Sequence, residues 1–207
     1  RRRTMFFECL SEGMFGSNCY IIGDNGEGVL IDSGVDGAEI LKAVEKAGLK
    51  IKYIIITHAH IDHICSLDEI RDKLGADVVV HESDATALAD PRLNVSYLAG
   101  HTRAFRNADI RVKDGDVLYA GGMEFEIIHT PGHTPGGICI KTGNRIFTGD
   151  TLFKMSVGRT DLGGGSMADL LDSIRNKLMV LPGPTEVFPG HGESTTIEVE
   201  KRSNPFL

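Results

Sequence analysis

No C-x-x-C pair occurs among the four cysteines Cys9, Cys19, Cys65 and Cys139, and their spacing does not suggest a disulfide framework. A chain of 207 residues closes a core without staples, so these thiols read as reduced. Cys9, Cys19 and Cys139 fall among apolar, strand-like residues and read as small buried hydrophobes, and Cys65 as a packed helix thiol. No uncharged apolar run approaches the roughly 18 residues that span a bilayer, so no membrane partner is expected. Basic clusters are missing too: 22 bases against 29 acids leave a net charge of −7, and only Arg1 to Arg3 form a run, which argues against nucleic acid. After that triplet, Met5-Phe6-Phe7 gives way to Glu8, too short an apolar stretch for a secretory signal. Arg1 to Thr4 read as a cloning remnant or disordered lead ahead of a native start at Met5, and the cytoplasm is the expected compartment. No Pro- or Ser-rich linker and no repeat of 20 to 50 residues divides the chain, so residues 5–207 read as a single domain.

Glycine is abundant, with 25 residues, and predicts many tight turns and close backbone approaches. Asp24-Asn25-Gly26 between two apolar runs predicts a β-hairpin. Ile40, Leu41, Val44 and Ala47 predict an amphipathic helix over 38–47 with Gly48 as its cap, and Ile64, Leu67, Ile70 and Leu74 a second helix ended by Gly75. Between them Tyr53-Ile54-Ile55-Ile56-Thr57 has the continuous β-branched character of a buried strand. Residues 82–111 carry little periodicity and read as a long excursion that can cover a site. Strands are predicted again over 123–128, 137–141 and 145–148, followed by a helix beginning at Ser166 and a short one near Thr195 and Glu198. Mixed hairpins and helices predict an α/β or α+β fold.

The strongest chemical signal follows the buried strand. Thr57-His58-Ala59-His60-Ile61-Asp62-His63 packs four potential metal ligands into six positions. In extended backbone, side chains two apart point the same way, so His58 and His60 can converge on one cation. Asp62 and His63 are adjacent, and a helix starting there can turn this pair toward a second, neighbouring cation. Three further candidates lie in glycine-flanked loops: His133 in Thr130-Pro131-Gly132-His133, Asp150 in Thr148-Gly149-Asp150, and His191 in Pro189-Gly190-His191-Gly192. Five histidines and two aspartates without sulfur suit zinc, iron or manganese in a hydrolytic centre, whereas closed structural zinc sites usually recruit thiolates. His81, His101 and His129 lack partner spacing and are not expected to bind metal. Asp32, in Leu30-Ile31-Asp32-Ser33-Gly34, reads either as a carboxylate that orients a ligand or as a turn former.

The H-x-H-x-D-H run, the later His, the Asp after Gly and the final Gly-His together resemble the metallo-β-lactamase superfamily over residues 18–207. The resemblance implies a single-domain αββα sandwich with the centre along one edge of two sheets. It implies that His58, His60 and His133 hold one metal, that Asp62, His63 and His191 hold the other, and that Asp150 bridges them. Two divalent cations, zinc first among the candidates, would outweigh the two aspartates and a bridging hydroxide, so the centre would favour an oxygen acquiring negative charge. The bridging hydroxide would attack a carbonyl, with Asp62 orienting it and accepting its proton.

Within the superfamily, Met14-Phe15-Gly16-Ser17-Asn18-Cys19-Tyr20, Ser156-Val157-Gly158-Arg159-Thr160-Asp161 and Asn204-Pro205-Phe206 look like the short glyoxalase II-like hydrolases. That resemblance implies cleavage of a small-molecule thioester such as S-lactoylglutathione. The longer glyoxalase II enzymes add a C-terminal helical domain that grips glutathione, and this sequence departs from them there. Arg159 reads as a binder of an anionic substrate group or as an ion pair with Asp161, with Lys141 and Lys154 as further candidates. Two alternatives stand beside thioester hydrolysis. One is a mononuclear iron persulfide dioxygenase, whose family shares the Gly-Arg-Thr-Asp segment and uses positions matching His58, His133 and Asp150. The other is a non-catalytic metal-binding scaffold, although no ligand is missing. A β-lactamase and a superfamily nuclease fit less well, for want of an export signal and of a basic groove respectively. The sequence leaves the oligomeric state open.

Overall fold

The computed structural model describes residues 5–207, so the reading of Arg1 to Thr4 lies outside the described residues. The first half of the chain contains β1 (Phe6–Leu10), β2 (Cys19–Asp24), β3 (Glu27–Ile31), α1 (Gly37–Ala47), β4 (Lys50–Ile55), α2 (Ile61–Ile64), α3 (Leu67–Leu74), β5 (Asp77–His81) and β6 (Ile110–Val112). The second half contains β7 (Val117–Ala120), β8 (Met123–His129), β9 (Ile138–Thr142), β10 (Arg145–Gly149), β11 (Leu152–Phe153), β12 (Ser156–Val157), α4 (Met167–Ser173), β13 (Glu186–Pro189), β14 (Thr195–Thr196) and α5 (Ile197–Ser203). Two six-stranded sheets result, ordered β1-β2-β3-β4-β5-β6 and β14-β13-β10-β9-β8-β7.

Strand alternation decides the layering. Tyr20, Ile22, Val29, Ile31, Ile55 and Val79 face the second sheet, where they meet Phe125, Ile127, Ile138, Ile140 and Phe147. Their neighbours Cys19, Ile21, Leu30, Ile54, Val78 and Val80 point the other way, onto Ile40 and Val44 of α1 and Leu67 and Ile70 of α3. On the outer face of the second sheet, Cys139, Ile146 and Val187 meet Leu170 of α4 and Ile197 of α5. The architecture is therefore helix, sheet, sheet, helix, with the largest apolar layer between the first sheet and its helices α1 and α3.

Local chemistry accounts for the turns and caps. The β2–β3 hairpin turns on Asn25 and Gly26, both at positive φ, as a two-residue hairpin loop requires. Asp36 caps α1 by accepting from Ala38 N, and Gly48 ends the helix in the left-handed region at φ 64°. The predicted second helix is two: Cys65 and Ser66 break α2 from α3, which Gly75 ends. The segment 82–111 is organised by short helical turns at Glu82–Asp84 and Ser96–Ala99, and its end adds β6 to the first sheet. Cys9 corrects the sequence reading: β1 is an edge strand and the thiol is exposed, whereas Cys19 and Cys139 are buried. No helix among the described residues is long and apolar enough to cross a membrane.

His81 ends β5 with its ring stacked on His129 at 3.8 Å, and its Nδ1 accepts from Ser83 N at 3.2 Å. Burial, then the neighbouring His129, push its pKa from 6.5 down to about 4. Between those values the unfolded chain holds a proton that the folded chain refuses, so folding stability should fall as pH drops through that window. Thermal unfolding of His81→Asn, which keeps an acceptor near the Nδ1 position, is expected to lose less midpoint temperature between pH 6.5 and pH 4 than the parent. Equal losses would contradict the assignment.

Candidate metal centre

The candidate ligands gather at one end of the sandwich because parallel strands deliver them there. β3 runs parallel to β4, and β10 parallel to β13. The C-terminal ends of these four strands lead into Asp32, the 58–63 segment, Asp150 and His191. His133 comes from the β8–β9 loop. His60, extended at φ −77° and ψ 150°, precedes α2, and that helical turn swings Asp62 and His63 away from the first pair.

His58, His60 and His133 form a nearly equilateral triangle, with ring centroids 4.8, 4.6 and 4.7 Å apart. Asp62, His63, Asp150 and His191 form a second group, and within each group the candidate ligand atoms lie within 4.8 Å of one another. Asp150 stands between them: Oδ1 is 3.2 Å from His63 Nε2, and Oδ2 is 3.6 Å from His133 Nε2 and 3.5 Å from His191 Nε2.

These donors fit divalent cations. His58 Nε2 and His133 Nε2 lie 3.2 Å apart, and His63 Nε2 and His191 Nε2 3.3 Å apart. Nitrogen ligands at about 2.0–2.1 Å from a tetrahedral ion would be separated by roughly 3.3–3.4 Å. Asp150 Oδ1 is buried and makes no hydrogen bond, an acceptor that needs a positive partner.

Electrostatics divides the two groups. Burial, followed by the nearby imidazoles, holds His58 well below the usual histidine range and takes His60 down to about 3, so both present neutral lone pairs. Burial opposes ionisation of Asp62 and Asp150, but His63 and His191, joined at Asp150 by His133, together override it and both carboxyls fall below the ordinary range. Burial likewise disfavours charge on His63, yet Asp62, Asp150 and Asp32 raise it well above the usual range. The second group thus favours positive charge, which a divalent cation supplies more strongly than a proton.

Ring orientation is fixed from behind. Asp32 Oδ2 accepts from His63 Nδ1 at 2.8 Å and from the Thr57 hydroxyl at 2.8 Å, while Oδ1 accepts from Thr57 N at 2.8 Å. With its proton committed to Asp32, the Thr57 oxygen accepts from His58 Nδ1 at 3.1 Å. One carboxylate therefore orients a histidine of each group and leaves both Nε2 atoms facing inward. Asp32 also sits at φ 60°, so the two roles read for it from sequence coexist. His133 Nδ1 is held in the same way by the Arg159 carbonyl at 2.7 Å. Gly190 admits this packing: a side-chain carbon there would collide with Asp150 Oδ1 and lie 2.7 Å from His63 Cε1.

Sequence reasoning missed Asp84. It is buried, and its carboxylate accepts from Ala59 N at 3.2 Å, the Thr134 hydroxyl at 2.8 Å and Gly136 N at 2.7 Å. It therefore ties the backbone between His58 and His60 to the loop that carries His133. No local motif marks it, since these partners lie 25, 50 and 52 residues away. Asp84→Asn turns an acceptor into a donor against those groups. In a chelator-competition titration, affinity for the first cation is expected to fall about tenfold or more, and unchanged affinity would contradict this role.

The cationic candidates fare differently. Arg159 lines the cavity beside the centre, but its Nε and Nη2 fork onto Asp161 at 2.6 and 2.8 Å. Lys154 is paired with Glu193 and does not line that cavity. Lys141, on β9 opposite Glu126, lines a separate surface depression with Lys177 and Leu181, which removes it from the site. His81 and His129 stack on each other away from both ligand groups.

Comparison with known proteins matches this arrangement. Residues 13–191 match the family model described as the metallo-beta-lactamase superfamily. Among curated relatives, a probable metallo-hydrolase, YqgX of Bacillus subtilis, is 37% identical over 94% of both chains. Hydroxyacylglutathione hydrolase GloC of Haemophilus influenzae is 34% identical, over 98% of both. Among solved structures, that of the BLEG-1 B3 metallo-beta-lactamase superposes with a TM-score of 0.93 at 37% identity, covering 98% of this chain and 99% of its own. With a matched motif set, a matched fold and one shared edge for the ligand residues, the chain belongs to the metallo-beta-lactamase superfamily of metallo-hydrolases.

Proposed function

We propose that the protein is a binuclear metal-dependent hydrolase that cleaves a thioester. Asp150 carries the reading: a largely buried carboxylate with one oxygen toward His63 and the other toward His133 and His191 is suited to join two cations. His58, His60 and His133 would hold one ion, and Asp62, His63 and His191 the other, with zinc the first candidate and iron or manganese also suited to the donors. When bound, the pair supplies Lewis acidity that polarises a carbonyl and acidifies water.

The chain's own residues do the rest. Asp62 turns Oδ2 toward His191 at 3.0 Å and His63 at 3.4 Å, which leaves Oδ1 to orient the attacking water and take its proton. The water oxygen bonds to the carbonyl carbon and the carbon–sulfur pair departs on sulfur. One water proton passes to sulfur and the other reaches solvent as the new acid ionises. A thiolate leaves readily, so no strong general acid is demanded. The likeness to GloC supports the thioester class, and the cavity of about 610 Å³ beside the ligands offers room for a small molecule.

The test joins metal analysis to a substrate panel. Purified protein is expected to hold two metal equivalents per chain, to release thiol from thioesters, and to consume no oxygen with glutathione persulfide. One iron per chain with oxygen uptake would overturn the proposal in favour of a dioxygenase. Opening of a chromogenic β-lactam with thioesters inert would overturn it in favour of amide hydrolysis.

A further inference from the structure

Beyond the ligands, the cavity wall is built by Phe15, Val95, Leu98, Phe153, Val157 and Leu162. These come from the turn before β2, the 82–111 excursion and the segment after β10, so three distant stretches present apolar groups to one space. Phe15 and Leu98 are 62% and 47% exposed, and contiguous apolar exposure marks a binding surface. Phe15 and Val95 are held at φ 53° and 52°, a region unfavourable for a bulky or β-branched residue. Asn94 enforces the second of these. Its amide donates to the Leu88 and Arg103 carbonyls at 3.3 and 2.8 Å, and its Oδ1 accepts from Ser96 N at 3.0 Å. Strain maintained in this way at a cavity wall points to a ligand surface.

The polar side of the wall is poor in free cations. Among the described residues that line it, Arg159 is the one Lys or Arg, and Asp161 occupies its fork. A substrate carboxylate arriving there would exchange one exposed ion pair for another, with little net gain. An anionic tripeptide carrying a small hydroxyacyl group would therefore use little of this cavity, whereas a large apolar acyl group would use most of it.

Resting on the thioester reading above, we infer that the substrate class is an apolar acyl thioester, medium-chain or arylalkanoyl, with its carbonyl at the metal centre and its acyl body against the Phe15, Leu98 and Leu162 wall. The bonds made and broken are those of the hydrolysis already described.

The metal-loaded full chain is tested on acetyl, hexanoyl and phenylacetyl thioesters of N-acetylcysteamine beside S-lactoylglutathione. From acetyl to hexanoyl, kcat/KM is expected to rise about tenfold or more, and hexanoyl to exceed S-lactoylglutathione. In Phe15→Ser and Leu98→Ser, exposed positions where folding is not at risk, the hexanoyl-to-acetyl ratio is expected to fall about fivefold. A flat series, or a preference for S-lactoylglutathione, overturns this inference and leaves thioester hydrolysis standing. No cleavage of any thioester overturns both. A second readout needs no activity. The sequence contains no tryptophan, so Phe15→Trp places a single tryptophan at the cavity, excited selectively at wavelengths where tyrosine does not absorb. In the metal-free protein its emission should shift blue and saturate with the hexyl thioether of N-acetylcysteamine but not with the methyl thioether. Identical responses would overturn the inference.

Discussion

Replacing Asp150 by alanine is expected to leave the protein folded but unable to retain its pair of cations, with kcat/KM reduced on the order of 10³-fold or more. The side chain lies between both ligand groups, and its Oδ1 has no hydrogen-bonding partner, so its removal orphans no donor of the fold. What disappears is the negative charge shared between His63 on one side and His133 and His191 on the other. Metal analysis beside circular dichroism checks this, since retention of two equivalents per chain would refute the bridging role. Asp150→Asn, which keeps the shape without the charge, should lie close to the alanine variant if charge is the operative property.

The next largest effect is expected at Asp32, which touches neither proposed cation. Asp32→Asn suits the positive φ of 60°, because asparagine tolerates the left-handed region, so the backbone is a fair control. The carboxylate serves three donors, Thr57 N, the Thr57 hydroxyl and His63 Nδ1, and the amide cannot accept from all of them through two oxygens. A buried donor left unmatched costs about 1–3 kcal/mol, and a misdirected imidazole costs about 10–100-fold in metal affinity. The variant should therefore unfold at lower denaturant and bind both cations more weakly, because the Thr57 relay reaches His58 as well as His63. Weakening confined to one ion would show that the relay does not couple the two groups.

These residues differ in how well the sequence exposes them. His58, His60, Asp62 and His63 are local, and one strand end followed by one helical turn suffices to suggest two directions of approach. Loop residues flanked by glycine announced His133, Asp150 and His191, though only the parallel strands explain why they reach the same edge. The sandwich layering came from the family resemblance, since a run such as Val78-Val79-Val80 divides between two cores while showing no alternation in its residue types. Asp84 was hidden because its partners are backbone amides and a hydroxyl far along the chain, a pairing that leaves no spacing to read. Lys141 misled because charge alone does not tell which end of a sheet a side chain occupies. The edge strands β6 and β14 escaped notice because such short strands of mixed burial lack the apolar runs of central ones.

Anomalous diffraction recorded on either side of the metal absorption edges, from crystals of the reconstituted protein, examines the cation pair itself. The expected result is two peaks about 3.5–4 Å apart, one inside the His58, His60 and His133 triangle and one among Asp62, His63 and His191, with Asp150 between them. A single peak at full occupancy, or metal bound outside these seven side chains, would contradict it.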